Sequence, residues 1–304
     1  MHRQNSSVGI VVLNYNNYQD TIACIDSIMT VEKNINYQIF VVDNNSSNCS
    51  VSVFSQRYGD RVNLITSTRN LGYAGGNNLG MAAAVEAGMD YICILNNDTL
   101  IFEPFLETCM ALLDSNDSIG FVGPVLLEQD GHTVQSAGMN LDIIKALTFR
   151  LFRGSEREKL PVQNVECDVI CGACSVIRTR DLSLIGAIPE QYFLYYEETE
   201  WCYRAKKKAG LSCLCASSVA IIHTGGKSTD LFDEIGSYFM NRSRVVFMRR
   251  NYAFPFFLIC FARLMLVTLY RRLTGDINSF ACFHYYLDGF CNRVDARYGF
   301  AYLG

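Results

Sequence analysis

The sequence predicts an α/β protein: a mostly parallel sheet flanked by helices, followed by a C-terminal helical extension. Three observations carry that prediction. In the first hundred residues short apolar runs alternate with helical patterns, the β-α-β rhythm of parallel strands joined by crossover helices. The runs are β-branched or aromatic and nearly continuous, as in strands buried on both faces. Each run also ends in a cluster of polar residues, and in open α/β sheets ligands bind beyond the carboxyl ends of the strands.

The first run is Val8-Gly9-Ile10-Val11-Val12-Leu13, leading into Asn14-Tyr15-Asn16, and residues 18–29 follow as a helix. The second strand, 39–42, leads to Asp43-Asn44-Asn45-Ser46-Ser47, and the third, 62–65, to Arg69-Asn70-Leu71-Gly72. Residues 74–88 form the next helix, rich in alanine and stopped by Gly88. The fourth strand, 91–95, runs into Asn96-Asn97-Asp98-Thr99, so four polar strand ends are expected at one crevice. Beyond Ile101 the pattern is mixed: a helix near 104–113, a strand near 119–122, a hairpin about Asp130-Gly131 and an apolar strand over 169–177. A turn at 181–185 follows, then an aromatic strand from Phe193 into an acidic helix start at Glu197, and a last strand over 212–222 ending at His223. No repeat or linker interrupts residues 1–230, which are expected to form one domain with two lobes, 1–100 and 101–230.

Composition narrows the class. With 304 residues, half of them hydrophobic, and five prolines, the chain can enclose a substantial core and is neither disordered nor collagen-like. A formal charge of -4 argues against a nucleic-acid binder. Of thirteen cysteines, Cys24, Cys93, Cys109 and Cys260 sit in apolar runs, where cysteine behaves as a small hydrophobe. Cys167, Cys171, Cys174, Cys213 and Cys215 have spacings that match no zinc motif. The first apolar run is too short for a signal peptide, so a cytoplasmic protein is expected.

Residues 231–304 differ. Between Ile235 and Gly275 there are seven arginines (242, 244, 249, 250, 263, 271 and 272) and no Asp or Glu. The apolar stretch 253–270 is short for a membrane span and is interrupted by Pro255 and Arg263. It is expected to lie in a membrane interface, with arginines beside anionic headgroups and Phe254, Phe256, Phe257, Leu258 and Ile259 inserted. The alternative is a buried helical hairpin packed on the domain or on a second subunit.

Several residues at the strand ends have the chemistry of a site. Asp43 can accept hydrogen bonds from a ribose diol or a base N–H, or cap its own turn. Asp98 is either a turn residue or a hard oxygen ligand for Mg2+ or Mn2+ on a diphosphate. The glycine-rich Arg69 to Asn78 segment allows close backbone approach. It is not a P-loop, and no G-x-G-x-x-G follows the first strand, so phosphate-cleaving NTPases and dinucleotide enzymes lose support. Glu197-Glu198-x-Glu200, beside Trp201, crowds three carboxylates among aromatics, which raises a carboxyl pKa toward general-base use; a solvated acidic helix start is the alternative. His223, before Thr224-Gly225-Gly226-Lys227-Ser228, is a metal ligand or a locally bonded imidazole.

Taken together, Asp43, Asn70-x-Gly72, Asn96-x-Asp98, Glu197-Glu198 and His223 occur in the order and context of the family 2 glycosyltransferases. From Val8 to about Ser228 the chain most resembles their rhamnosyltransferase branch, with Val41-Val42-Asp43-Asn44-Asn45-Ser46, Asn70-Leu71-Gly72-Tyr73-Ala74-Gly75-Gly76-Asn77-Asn78, a degenerate DxD element and Tyr195-Tyr196-Glu197-Glu198. Residues 238–251 resemble the family's C-terminal helix. The resemblance implies a GT-A fold and inverting transfer of a sugar from a nucleotide diphosphate donor. It implies that Asn14, Asn16, Asp43, Arg69, Asn70, Gly72, Asn77, Asn96 and Asn97 surround the nucleotide in the 1–100 half. Asp98 and His223 would hold Mg2+ or Mn2+ under the diphosphate. In the 101–230 half Glu198, or Glu197, would act as base, with Gly172, Glu200 and Trp201 near the acceptor.

Two departures stand out: Asn96 replaces the first Asp of many relatives, leaving one anionic ligand, and Glu198 carries one more methylene than the usual Asp. The implied reaction moves L-rhamnose from dTDP-rhamnose to a lipid-linked glycan for O-antigen or capsule, on the inner face of the plasma membrane, with no nucleic-acid partner and a homo-oligomer left open. A UDP-sugar (galactofuranosyl or hexosyl) transferase and a non-catalytic nucleotide-sugar-binding protein are the alternatives. A sugar nucleotidyltransferase needs a Gly-rich phosphate loop where this chain has Asn14-Tyr15-Asn16.

Overall fold

The computed structural model describes residues 6–225, 233–276 and 279–295. Its first part alternates β1 (Ser7–Asn14), α1 (Tyr18–Val31), β2 (Asn36–Asp43), α2 (Ser50–Tyr58), β3 (Asn63–Thr66), α3 (Gly72–Glu86) and β4 (Tyr91–Asn96). The four strands are parallel, in the order β3-β2-β1-β4. Asn14 pairs with Asp43, Asp43 with Thr66, and Leu13 with Asn96, so the polar strand ends share one edge, as the sequence predicts. Both faces are covered: Val8, Ile10 and Val12 pack toward one core, and Val11, Val42, Ile92 and Ile94 toward another. The glycines of α3 serve the second contact. A Cβ on Gly80 would lie 2.3 Å from Val11 Cγ1, and one on Gly76 2.3 Å from Leu13 Cδ1. They admit the sheet rather than a ligand.

The second part contains β5 (Thr99–Leu100), α4 (Leu106–Ser115), β6 (Ile119–Leu127), β7 (Val134–Ser136), β8 (Met139–Asp142), β9 (Leu147–Arg150), β10 (Val165–Cys167), β11 (Cys174–Arg178), α5 (Leu182–Ile185), α6 (Glu197–Ala209) and β12 (Ser212–His223). β11 runs antiparallel between β4 and β6, β12 lies parallel to β6, and β10 closes the edge. β5 pairs antiparallel with the end of β12, placing His223 opposite Thr99. β8 and β9 form a separate hairpin, tied to the following loop where Met139 bridges Val169.

Two expected strands are corrected. The strand predicted over 169–177 begins only at Cys174, because Val169 is engaged with Met139 and residues 171–173 turn beside β4, where Asn96 donates to the Ala173 carbonyl. The aromatic stretch from Phe193 is a turn, with left-handed φ at Phe193 (65°), Tyr195 (63°) and Tyr196 (74°). Such backbone in bulky residues costs about 1–3 kcal/mol each and persists only where the surroundings enforce it.

The C-terminal extension is helical: α7 (Asp233–Asn251), α8 (Phe254–Leu273) and α9 (Ser279–Cys291). α7 buries Tyr238, Phe239, Val245 and Phe247; Phe239 packs on Phe193 at 5.1 Å, and Phe247 on Tyr196 at 5.8 Å. Three of the arginines reach the body of the domain. Arg242 donates to the Gln191 carbonyl as well as to that of Arg293, Arg244 to the Lys145 carbonyl and Arg250 to Glu200. α8 turns Phe257, Cys260, Leu264 and Thr268 inward and leaves Phe254, Leu258, Ile259, Leu266, Tyr270 and Leu273 exposed. By length and composition it could cross a membrane, with a mean hydropathy of 1.6, and only 22% of it is buried.

Candidate active site

The carboxyl edge of the parallel strands is framed by amides. Asn14 Nδ2 donates to Asp43 Oδ2 (2.8 Å) and to Ser46 Oγ (3.1 Å), and Asn14 Oδ1 accepts from Thr21 Oγ1 (2.8 Å). Asp43 Oδ1 receives the Ser46 N–H (2.9 Å), so this carboxylate caps its own turn. Asn44, which the sequence reading passed over, is the hub of the next loop: its Nδ2 donates to Asn70 Oδ1 (2.9 Å) and the Gly72 carbonyl (3.1 Å), and its Oδ1 accepts from Leu71 N (2.9 Å). Asn14, Asp43 and Asn70 are therefore buried supports of the crevice. Asn77 is 1% exposed and donates back to the Tyr73 carbonyl, so its side chain is turned into the fold. Asn16, Arg69, Asn96 and Asn97 keep open surface. Asn97 Nδ2 reaches Thr21 Oγ1 (2.9 Å), and Asn16 Oδ1 accepts from Ser47 N (2.8 Å).

Asp98 and His223 meet. The Thr224 N–H and Oγ1 both donate to the Asp98 carbonyl at 2.9 Å, and the β5–β12 register sets the side chains so that His223 Nε2 lies 3.2 Å from Asp98 Oδ1. Two ligands at right angles about 2.1 Å from one ion lie about 3.0 Å apart, so the pair fits a shared divalent cation. On its other side His223 Nδ1 is 2.6 Å from Gln135 Oε1. Among the described residues no third His, Cys, Asp or Glu joins the pair. Gly226, Lys227 and Ser228 lie outside the described residues.

The acidic pair sits across a shared turn. Glu197 is buried, with Oε2 lacking a hydrogen-bond partner, whereas Glu198 is half-exposed. Burial pushes both carboxyls above their usual range, well above for Glu197, which Glu198 raises further; Arg150 opposes the shift at Glu198. A Cβ on Gly172 would lie 3.7 Å from Glu198 Cδ and 3.1 Å from Tyr73 OH, and Tyr73 donates to the Gly172 carbonyl at 2.6 Å. Burial raises the neighbouring Cys171 thiol, and the charges acting on it are Arg150, Glu198 and Asp98. The 171–173 turn thus connects the acidic pair to the end of β4.

Two residues expected near the acceptor are corrected. Trp201 is buried against Phe121 (4.9 Å) and donates to the Gly186 carbonyl (2.8 Å). Glu200 is a buried anchor, receiving Arg250 Nε (3.1 Å), Asn251 Nδ2 (3.2 Å) and the Tyr192 hydroxyl. Glu200, two residues beyond Glu198, projects to another side of α6; Trp201, three residues beyond, is instead drawn inward by Phe121 and the Gly186 carbonyl. Tyr73, Gln135, Arg150 and Cys171 were missed because the loops that deliver them are distant in sequence.

The family model described as Glycosyl transferase family 2 matches residues 9–185, more than half of the chain. The chain belongs to this family. Among relatives of this family 2 protein, the dTDP-rhamnosyl transferase RfbF of Shigella flexneri is 23% identical over 262 residues, 82% of each chain. The low-salt glycan biosynthesis hexosyltransferase Agl10 of Haloferax volcanii is 26% identical over 209 residues, 66% of this chain and 62% of that one. This chain therefore spans less than two thirds of the hexosyltransferase's length. In fold, the family 2 protein resembles GalNAc-T7 crystallised with UDP, GalNAc and Mn2+ (TM-score 0.63, 13% identity, covering 82% of this chain and 48% of that one). It also resembles residues 1–349 of S. aureus TarS (TM-score 0.54, 15% identity, 97% and 83%). These are GT-A glycosyltransferases, and the architecture here is theirs.

Proposed function

We propose that the protein is an inverting, divalent-metal-dependent glycosyltransferase that moves L-rhamnose from dTDP-rhamnose to a lipid-linked glycan of a cell-surface polysaccharide such as O-antigen or capsule. The observation that carries this is the grouping at one sheet edge of a two-donor cation pair, Asp98 and His223, with a half-exposed carboxyl of raised pKa, Glu198. The rhamnosyl donor is supported by the match to RfbF along most of both chains. A UDP-hexose donor is the second reading, favoured by the hexosyltransferase named among the relatives.

In this mechanism Asn16, Arg69 and Asn97 face the nucleoside, supported from beneath by Asn14, Asp43, Asn44 and Asn70. Asp98 and His223 would hold Mg2+ or Mn2+, and a bound cation would supply positive charge to offset the negative charge gathering on the departing nucleoside diphosphate. Glu198 accepts the proton of the acceptor hydroxyl as its oxygen bonds to the anomeric carbon and the sugar–phosphate bond breaks on the opposite side, inverting configuration. Glu197 lies behind it, its carboxyl pushed well above the usual range by burial and then by Glu198. α8 rests on the inner leaflet of the plasma membrane, its outward apolar stripe inserted and Arg263, Arg271 and Arg272 supplying positive charge.

Glu198→Gln tests the base. Turnover should fall at least about 100-fold, with dTDP affinity in the presence of Mn2+ unchanged by calorimetry. Near-normal turnover would remove Glu198 from that role. Titration of wild type with dTDP and UDP, with and without Mn2+, separates the donors: metal-dependent binding of UDP alone would select the second reading.

A further inference from the structure

We propose that Gln135 is a positioning residue that fixes the tautomer of His223, so that the imidazole presents a bare Nε2 to the cation it shares with Asp98. The inference rests on the metal reading above. Gln135 lies buried on β7, which pairs with the end of β6. Its amide nitrogen has two acceptors, Glu128 Oε2 and the His223 carbonyl, each at 3.2 Å. An amide nitrogen only donates and an amide oxygen only accepts, so these contacts decide which way the side chain is turned. The oxygen then faces His223 Nδ1 at 2.6 Å, and Nδ1 must carry the hydrogen.

The consequence appears on the other side of the ring. With Nδ1 protonated, the neutral imidazole has its lone pair on Nε2, 3.2 Å from Asp98 Oδ1. Two acceptors that close attract a cation between them. Without the Gln135 oxygen the imidazole is free to carry its hydrogen on Nε2 and donate it to Asp98, closing the pair on itself. A metal would then have to displace that hydrogen bond. Gln135 grips the ring and the backbone of the same histidine, so ring orientation and tautomer are set together. Partners of this kind commonly change metal affinity 10–100-fold when removed.

The test begins without metal. Protein labelled with 15N-histidine, chelated and held at about pH 8.5 so that an ordinary imidazole is neutral, is examined by long-range 1H–15N correlation, which distinguishes the two tautomers. The chain has four histidines, and His223→Asn assigns the signal. The expected result is an Nδ1–H tautomer in wild type, a majority of Nε2–H in Gln135→Met, and retention of Nδ1–H in the exchange Gln135→Glu with Glu128→Gln, where a carboxylate accepts from the ring and an amide at 128 replaces the like charge. Mn2+ affinity in the presence of dTDP should fall about 10–100-fold in Gln135→Met and largely persist in that exchange. An Nε2–H tautomer in wild type would overturn the proposal, as would a Gln135→Met protein with wild-type tautomer and Mn2+ affinity. Wild type with the expected tautomer but no Mn2+ binding beside dTDP or UDP would instead refute the metal reading, and with it the purpose assigned to Gln135.

Discussion

Gly72→Ala offers a direct measure of how the nucleotide edge is coupled to the acidic helix. Gly72 has φ +69°, and a Cβ there would lie 2.6 Å from the Phe193 carbonyl oxygen and 2.7 Å from its Cδ2. Ordinary contact begins near 3.4 Å, so one side must withdraw by about 0.8 Å. The neighbouring Tyr73 N–H donates to that same carbonyl at 3.1 Å, and Phe193 is already in left-handed backbone. Gly88 is the internal control: its φ is +75°, but nothing lies within 4 Å of its added Cβ. Gly88→Ala should therefore cost only the left-handed term, about 1–2 kcal/mol, whereas Gly72→Ala adds overpacking of about 1–3 kcal/mol. Urea unfolding of both variants reads that difference. Turnover reads the second consequence, because displacement of Phe193 carries to Glu198, and a misplacement near 1 Å costs about 100-fold. Equal destabilisation by the two variants, with unchanged turnover, would refute the coupling.

Other outcomes follow from the same geometry. Burial raises the Glu198 carboxyl, so if Glu198 is the base proposed above, turnover should rise with pH through a limb above the ordinary carboxylate value of about 4.3. Arg150→Gln, which removes the opposing positive charge, should move that limb further up; a limb in the ordinary range in both proteins would contradict it. The raised Glu197 favours its neutral form, so its stabilising contribution is present below the unfolded value and lost as pH rises through the folded one. Glu197→Gln should accordingly gain stability relative to wild type as pH rises above the ordinary carboxylate value of about 4.3, checked by urea midpoints. Arg250→Met strands the buried Glu200 carboxylate; discounted for the half-exposed guanidinium, the loss should be about 2 kcal/mol in urea unfolding. Leu266→Asp, on the exposed stripe of α8, should reduce co-flotation with anionic vesicles while leaving unfolding midpoints within about 0.5 kcal/mol of wild type; unchanged flotation would remove α8 from the membrane.

The parallel half of the fold was legible because strands buried on both faces need unbroken apolar runs, and β1, β2 and β4 have them. α2 was missed: Ser50-Val51-Ser52-Val53-Phe54 spreads too few apolar residues among serines to show a helical period. The stretch from Phe193 was misread as a strand because aromatic residues favour strands on average, while packing against Gly72 and α7 imposes left-handed backbone instead. At the candidate site, the family pattern points to Asp98, His223 and Glu198, and the fold brings Asp98 and His223 to 3.2 Å of each other. Asn44, Gln135 and Arg150 acquire meaning only when distant loops close, and so does the burial of Trp201 and Glu200, whose partners Phe121, Gly186, Arg250 and Tyr192 come from other parts of the chain.

The antiparallel pairing of β5 with the end of β12 has a consequence for divergence. Asp98 and His223 are far apart along the chain, yet their relation depends on backbone pairing at Thr99 and Leu100. The tip of the intervening β8–β9 hairpin lies outside that pairing, whereas the loop after β9 braces β7 through Leu151 and Ser155. Insertions or grafts at the tip should therefore be accommodated without shifting Asp98 against His223, and selection can vary that hairpin while the relation of the two side chains is inherited intact.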